Sequence, residues 1–244
     1  MSLLNKFRPV RDPLPQPVRN VRGANPMTPL HAPANSPASN RASQAGRFSN
    51  GLKEFLWQLD DIGRGNLLDL GQVSQNTLNF FIERNFKVYT EDILVAWRDF
   101  LRVEQERSLQ LPAGANAADN SSSARAVRFL ESNLNHSKDS FDAVLLWDVL
   151  DYLDRDTVTR LMERLSTLVR EGGAILAIFH TRMPEQFCRY RVLDALNLDL
   201  VQVSTIVPPQ HIYQNREIQD LFIRFRTSKT FVARDQLREI VFAK

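Results

Sequence analysis

The chain carries a single cysteine, Cys188. That excludes an intramolecular disulfide and any clustered thiolate metal site, so a disulfide-stapled extracellular design is ruled out and the cytoplasm is the default compartment. No apolar run approaches the roughly 20 residues needed to cross a bilayer, and no apolar signal core stands near the N-terminus. No membrane partner is expected. Acidic residues are almost missing from the first 50 positions, where Asp12 alone faces Lys6, Arg8, Arg11, Arg19, Arg22, Arg41 and Arg47. Since the whole chain has 31 basic and 28 acidic residues, this segment is six charges positive and the remainder three negative.

Residues 1–48 also hold eight of the twelve prolines, among Ala, Ser and Asn, with no sustained apolar period. Such a segment buries too little surface to offset its ordering entropy and is predicted to be a disordered, basic, proline-rich tail. A protein-binding arm, an anchor for anionic polymers, an organelle transit peptide and a plain solvated leader all fit this composition. The prolines argue against an amphipathic targeting helix. The folded domain is expected over 49–244.

In that body 43% apolar and 24% charged residues, counted over the whole chain, suit an ordinary globular domain. Its organising stretch runs from Asn66 to Asp92. Leu67 to Leu70 is a short apolar run, Gly71 breaks it, and Leu78, Phe81 and Ile82 follow at helical spacing before Lys87-Val88-Tyr89. Strand, turn, helix and strand in that order begin a nucleotide-binding sheet. What the turn lacks is glycine: only Gly71 is present where a glycine-rich loop is expected.

Upstream, Ser49-Asn50 reads as a cap for a helix burying Leu52, Phe55, Leu56 and Leu59 and stopped by Gly63. Downstream, Ile93, Trp97 and Leu101 mark the next crossover helix, and Pro112 to Ser123 reads as an exposed loop. Arg125 to Glu131 fits both periods, alternating at Val127 and Phe129 yet helical at Val127, Leu130 and Leu134; a third strand is predicted there. Phe141 to Trp147 reads as a buried strand. Asp154 or Asp156 then caps a helix that Gly172-Gly173 ends, and Ala174 to Phe179 is the next strand, completing a parallel crossover. The last third changes character. Two hairpin-like pairs, 190–193 with 198–203 and 230–232 with 238–242, flank a short helix capped by Asn215. The fold class is therefore α/β: a doubly wound, mostly parallel sheet with an antiparallel C-terminal strand pair.

In such sheets ligands sit at the carboxyl ends of strands, here Leu70-Gly71 and Trp147-Asp148. An acid closing the second strand, Glu91 or Asp92, can accept both ribose hydroxyls of an adenosine; a helix cap before Ile93 is the equally good plain reading of Asp92. Asp69, Gly71 and Asp92, with Asp92 23 positions after Asp69, resemble the first motif and distal acid of the class I S-adenosylmethionine-dependent methyltransferases. Phe141-Asp142, Asp148 to Tyr152 and Gly172-Gly173 are similar to that family's later signature. The likeness covers roughly Leu52 to Lys244. It implies a Rossmann-like fold, S-adenosylmethionine as cofactor, and Asp69, Gly71, Glu91, Asp92, Trp147 and Asp148 around it, with an unknown substrate. It names no catalytic residue, since in-line displacement at a sulfonium needs alignment more than acid or base. Trp147 or Tyr152 would face the sulfonium through a cation–π contact, and Asp148 or His180 would accept a proton. Trp147 also reads as core, since it ends a buried run.

The sequence departs from the family where its second and third glycines should stand, at Val73 and Gln75. A β-branched Val73 places methyl groups in the way of a closely approaching cofactor and resists positive φ. Two readings follow from different classes: a transferase, or a methyltransferase-like interaction protein that has lost the cofactor. A nucleotide-dependent oxidoreductase is disfavoured, because pyrophosphate needs the missing glycines. Nucleic acid is not an expected partner. In the C-terminal run of Arg216, Arg224, Arg226, Lys229, Arg234 and Arg238, acids interleave as on a solvated ion-paired face.

Overall fold

The computed structural model describes residues 46–110 and 121–244. All but Gly46–Phe48 of the tail predicted over 1–48, and most of the loop predicted over Pro112 to Ser123, lie outside those residues. Arg47–Phe48 form a short strand, β1, that pairs antiparallel with β7 (Asn197–Gln202). These two residues belong to the domain because Phe48 continues a ladder and Arg47 bridges to Asp235 and Glu239.

The main sheet has six strands in the order β3-β2-β4-β5-β9-β8. These are β2 (Gly65–Asp69), β3 (Phe86–Thr90), β4 (Phe141–Trp147), β5 (Val169–His180), β8 (Thr227–Val232) and β9 (Leu237–Ala243). The first four run parallel, while β9 is antiparallel to both β5 and β8. The sheet is the predicted mostly parallel one with its antiparallel C-terminal pair. β6 (Cys188–Val192) and β7 form the predicted hairpin, but with β1 they make a separate three-stranded sheet.

Among the described residues six α-helices cover both faces. Alternation along β4 shows why: Ala143, Leu145 and Trp147 pack towards α1 (Asn50–Gln58) and α2 (Gln75–Ile82), whereas Phe141, Val144 and Leu146 pack towards α3, α4 and α5. These last three are α3 (Ile93–Gln110), α4 (Ser122–Asn133) and α5 (Arg155–Leu168); α6 (Asn215–Leu221) joins the same face. Ser49 caps α1 as expected, accepting from the Leu52 N–H at 2.9 Å. Asp154 caps α5, accepting from the Thr157 N–H at 3.0 Å.

Three local expectations are corrected. The third strand predicted at Arg125 to Glu131 is the middle of α4, because Ser121 supplies an N-cap and the helical set Ala126, Phe129 and Leu130 is what the core buries. In consequence β3 is the edge of the sheet. The Gly172-Gly173 pair does not end α5. That helix stops at Leu168, β5 begins at once, and Gly172, at φ +80°, sits where the pairing of β4 with β5 slips. The cap of α6 is Gln214, not Asn215, in a reciprocal arrangement with Glu217.

Candidate functional site

The carboxyl ends of β2 and β4 lie side by side, and four side chains meet there. Asp69 ends β2, buried, and its Oδ1 accepts the Gly71 N–H at 3.0 Å and the Trp147 indole Nε1–H at 2.7 Å. Trp147 ends β4 at φ +50°, a left-handed conformation that bulky residues rarely adopt. Its ring, only 3% exposed, lies flat on Tyr190 from β6, with centroids 5.4 Å apart and planes 6° off parallel. Tyr190 is itself tied down, its hydroxyl donating to Asp148 at 3.2 Å.

Gly71 is explained by that indole. A Cβ at position 71 would stand 2.4 Å from Trp147 Cδ1 and 2.8 Å from Nε1, inside contact distance. The glycine is there to admit the protein's own ring. Val73, by contrast, is half exposed and does not have a positive φ, so neither its methyl groups nor its backbone is strained by the turn.

Of the acids after β3, Asp92 faces the cleft and Glu91 does not line it. Asp92 also caps α3, its Oδ1 accepting from the Val95 N–H at 3.1 Å, so both readings of this residue hold at once. Burial raises the pKa of both carboxyls; in Glu91 the nearby His136 offsets part of it, and in Asp92 the backbone N–H groups do. What remains open between Gly71, Asp92, Trp147, Asp148 and Tyr190 is about 20 Å³. That holds about one water. Ligand pockets for small molecules run from about 300 Å³ upward. With the Trp147 and Tyr190 rings where they stand, this space is too small for a molecule the size of S-adenosylmethionine. Of the six residues singled out from the sequence, Asp69, Gly71 and Trp147 pack on one another, Asp92 and Asp148 line the same space, and Glu91 does not.

Burial shapes the titration of the carboxylates. Asp69 is pushed up to about 6, mainly by desolvation, against the hydrogen bonds from Trp147 and Gly71. Asp148 is pushed up to about 7, again by desolvation, with His180 opposing it. His180, at the end of β5, bonds to Asp151 Oδ2 through Nδ1 at 2.9 Å, and its Nε2 lies 3.8 Å from Asp148. Burial alone would lower its pKa, but the Asp151 hydrogen bond and the charges of both carboxylates raise it. His180, Cys188 and Tyr190 line a neighbouring cavity of about 300 Å³. Tyr152 is excluded from both spaces. It is buried edge-on against Phe187, and its hydroxyl has no partner.

Tyr190 and Asp151 were not singled out from the sequence. Tyr190 read only as part of a hairpin, and its meeting with Trp147 depends on where the small sheet docks. A second surprise lies in the basic C-terminal run, where Arg238 is buried and donates to the Tyr213 carbonyl at 2.8 Å and to Asn215, while Arg226 pairs with Glu171 at 2.9 Å. Among the described residues there is no cluster suited to a metal ion and no helix long and apolar enough to cross a membrane.

The buried Asp69 carries a pH signature. Its folded pKa, about 6, lies above the usual value near 4, so it holds a proton in the folded state that the unfolded chain has already released. Its contribution is fully present below pH ~4 and is lost as pH rises to ~6, by about 3 kcal/mol. Asp69→Asn keeps an acceptor for both donors and cannot titrate. Urea titrations at pH 4 and 7 are expected to show wild type losing stability relative to this variant over that range. Parallel pH profiles for the two proteins would refute the assignment.

No protein-family model and no curated protein sequence matches the chain. Similar solved structures include the 1,6-didemethyltoxoflavin-N1-methyltransferase of Burkholderia thailandensis, at 13% identity over 80% of this chain and 78% of that one, with a TM-score of 0.41. An S-adenosylmethionine-dependent methyltransferase from Clostridium acetobutylicum is 13% identical over 79% and 90%, TM-score 0.42. One from Methanosarcina mazei is 12% identical over 74% and 93%, TM-score 0.40. These are distant likenesses, and the class of the protein rests on its own strand order: a doubly wound, Rossmann-like α/β domain with an antiparallel ending.

Proposed function

We propose that the domain is methyltransferase-like in design but closed to the cofactor by its own side chains, and that it serves as an interaction protein. The proline-rich basic segment at the N-terminus supplies one contact arm. The observation that carries this reading is the Trp147 indole, which sits over Gly71, bonds to Asp69 and stacks on Tyr190 where a methyltransferase of this design would hold its ligand. A residue held at positive φ to make three such contacts is strain that the surrounding packing has to support.

A second reading, transfer of a methyl group from S-adenosylmethionine to an unknown substrate, is favoured by Asp92, which lines the cleft beside Gly71 as the family resemblance implies. For that reading Trp147 and Tyr190 would have to leave together, breaking the Asp69 and Asp148 hydrogen bonds. Calorimetric titration with S-adenosylmethionine and S-adenosylhomocysteine separates the two. No saturable heat is expected at millimolar ligand. Micromolar binding that disappears in Asp92→Ala would establish the transferase reading instead.

A further inference from the structure

β3 is the edge of the main sheet because the segment that could have paired with it folds as α4. Its outward groups can be identified. The Glu91 N–H bonds to the Asp69 carbonyl at 2.8 Å, and the parallel register sets Asp69 opposite Thr90, so Tyr89 and Lys87 also turn towards β2. Val88 and Thr90 therefore point their N–H and C=O groups away from the sheet, with no hydrogen-bond partner among the described residues. An edge of this kind is a template for another strand.

Beside the start of that strand lies a cleft of about 610 Å³. Arg64, Lys87 and Arg170 line it together with Asn66, Asn85 and Ile82, and no lining residue is a carboxylate. Arg64 has no ion-pair partner among the described residues. Lys87 lies over the Tyr89 ring at 4.6 Å, and Arg170 is held by Asp142 at 2.9 Å while its Nε is unpaired. Ile82 is 56% exposed at the rim. Arg64 and Lys87, with no ion-pair partner among the described residues, are a local reversal of sign on a body that is net negative.

From these two observations the geometry points to a docking site for an extended acidic segment of another protein, added as a strand beside β3 with its carboxylates over Arg64 and Lys87. Backbone hydrogen bonds would supply the register, the cations the selectivity, and Ile82 an apolar anchor. The chain's own N-terminal 50 residues are the wrong occupant, being six charges positive. The proposal does not depend on the closed state of the cleft at Trp147.

The test titrates the full chain at low salt with the capped heptapeptide Glu-Val-Glu-Val-Glu-Val-Glu, following the Val88 and Thr90 amides by NMR. Saturable binding is expected, with protection of both amides and no binding of the same peptide carrying Lys for Glu. Arg64→Glu with Lys87→Glu should weaken it about tenfold or more, as should Val88→Pro, which removes an outward N–H and spares the β2 ladder. If the proline variant misfolds, the exposed charge reversals carry the test alone. Absence of saturable binding, or binding that the charge reversals leave unchanged, overturns the proposal. So does a dimer formed through this edge.

Discussion

Arg47→Ala is expected to lower the unfolding free energy by about 3–5 kcal/mol, among the largest losses any single substitution in this domain should cause. Arg47 bridges Glu239 and Asp235 across the junction of β1 with β9, and Glu239 is only 2% exposed. Glu239 also accepts from the Ser49 hydroxyl at 3.0 Å and the Gly51 N–H at 2.5 Å. Removing the guanidinium leaves that carboxylate buried with two neutral donors and no countercharge, which is why the cost exceeds that of an exposed ion pair, about 0–1 kcal/mol. Restoring neutrality with Arg47→Met and Glu239→Gln together should recover most of the loss, since Gln still accepts from both donors. Urea unfolding of the single and double variants measures this. A loss below about 1 kcal/mol for Arg47→Ala would mean the pair is solvated.

Trp147 is the site of the second large effect. Trp147→Ala should cost about 3–5 kcal/mol, the usual range for emptying a packed aromatic position. It also strips Asp69 of its indole donor and Tyr190 of its stacking partner. The diagnostic comparison is with glycine. At φ +50° an alanine keeps the left-handed penalty of about 1–2 kcal/mol that glycine escapes. Trp147→Gly is therefore expected to be more stable than Trp147→Ala by about 1 kcal/mol, the reverse of the ordinary order inside a strand. Chemical denaturation of both variants decides it. Equal stabilities, or alanine the more stable, would show that the backbone at 147 is not held in that region.

Much of the fold was legible because its signals are local. Ser49 and Asp154 are caps with a polar oxygen three residues ahead of a waiting N–H, and Ala143 to Trp147 is apolar throughout because helices cover both faces of β4. The misreadings occurred where two local rules fitted equally well. Val127 and Phe129 alternate as a strand would, but Val127 is exposed and Phe129 is buried with Ala126 and Leu130, so burial chose the helix. Gly172-Gly173 looked like a helix stop, yet the pair is a slip between two neighbouring strands, a feature that exists only once β4 and β5 are paired. Arg47 read as one more charge in a basic tail. Its partners, the buried Glu239 and the exposed Asp235, stand near the other end of the chain.

By itself the sequence determined most of the succession of strands and helices, α4 excepted, the parallel body with its antiparallel ending, and the placing of Asp69, Gly71 and Asp92 about one turn and one strand end. These follow from periodicity, capping and spacing within a few dozen residues. Only the tertiary structure decided what Gly71 is for. The same glycine admits a ligand or an indole according to whether the ring of Trp147 turns into the cleft and whether Tyr190, from a hairpin in another sheet, lies beneath it. Such an outcome depends on close packing between segments far apart in the chain, and no local pattern encodes it.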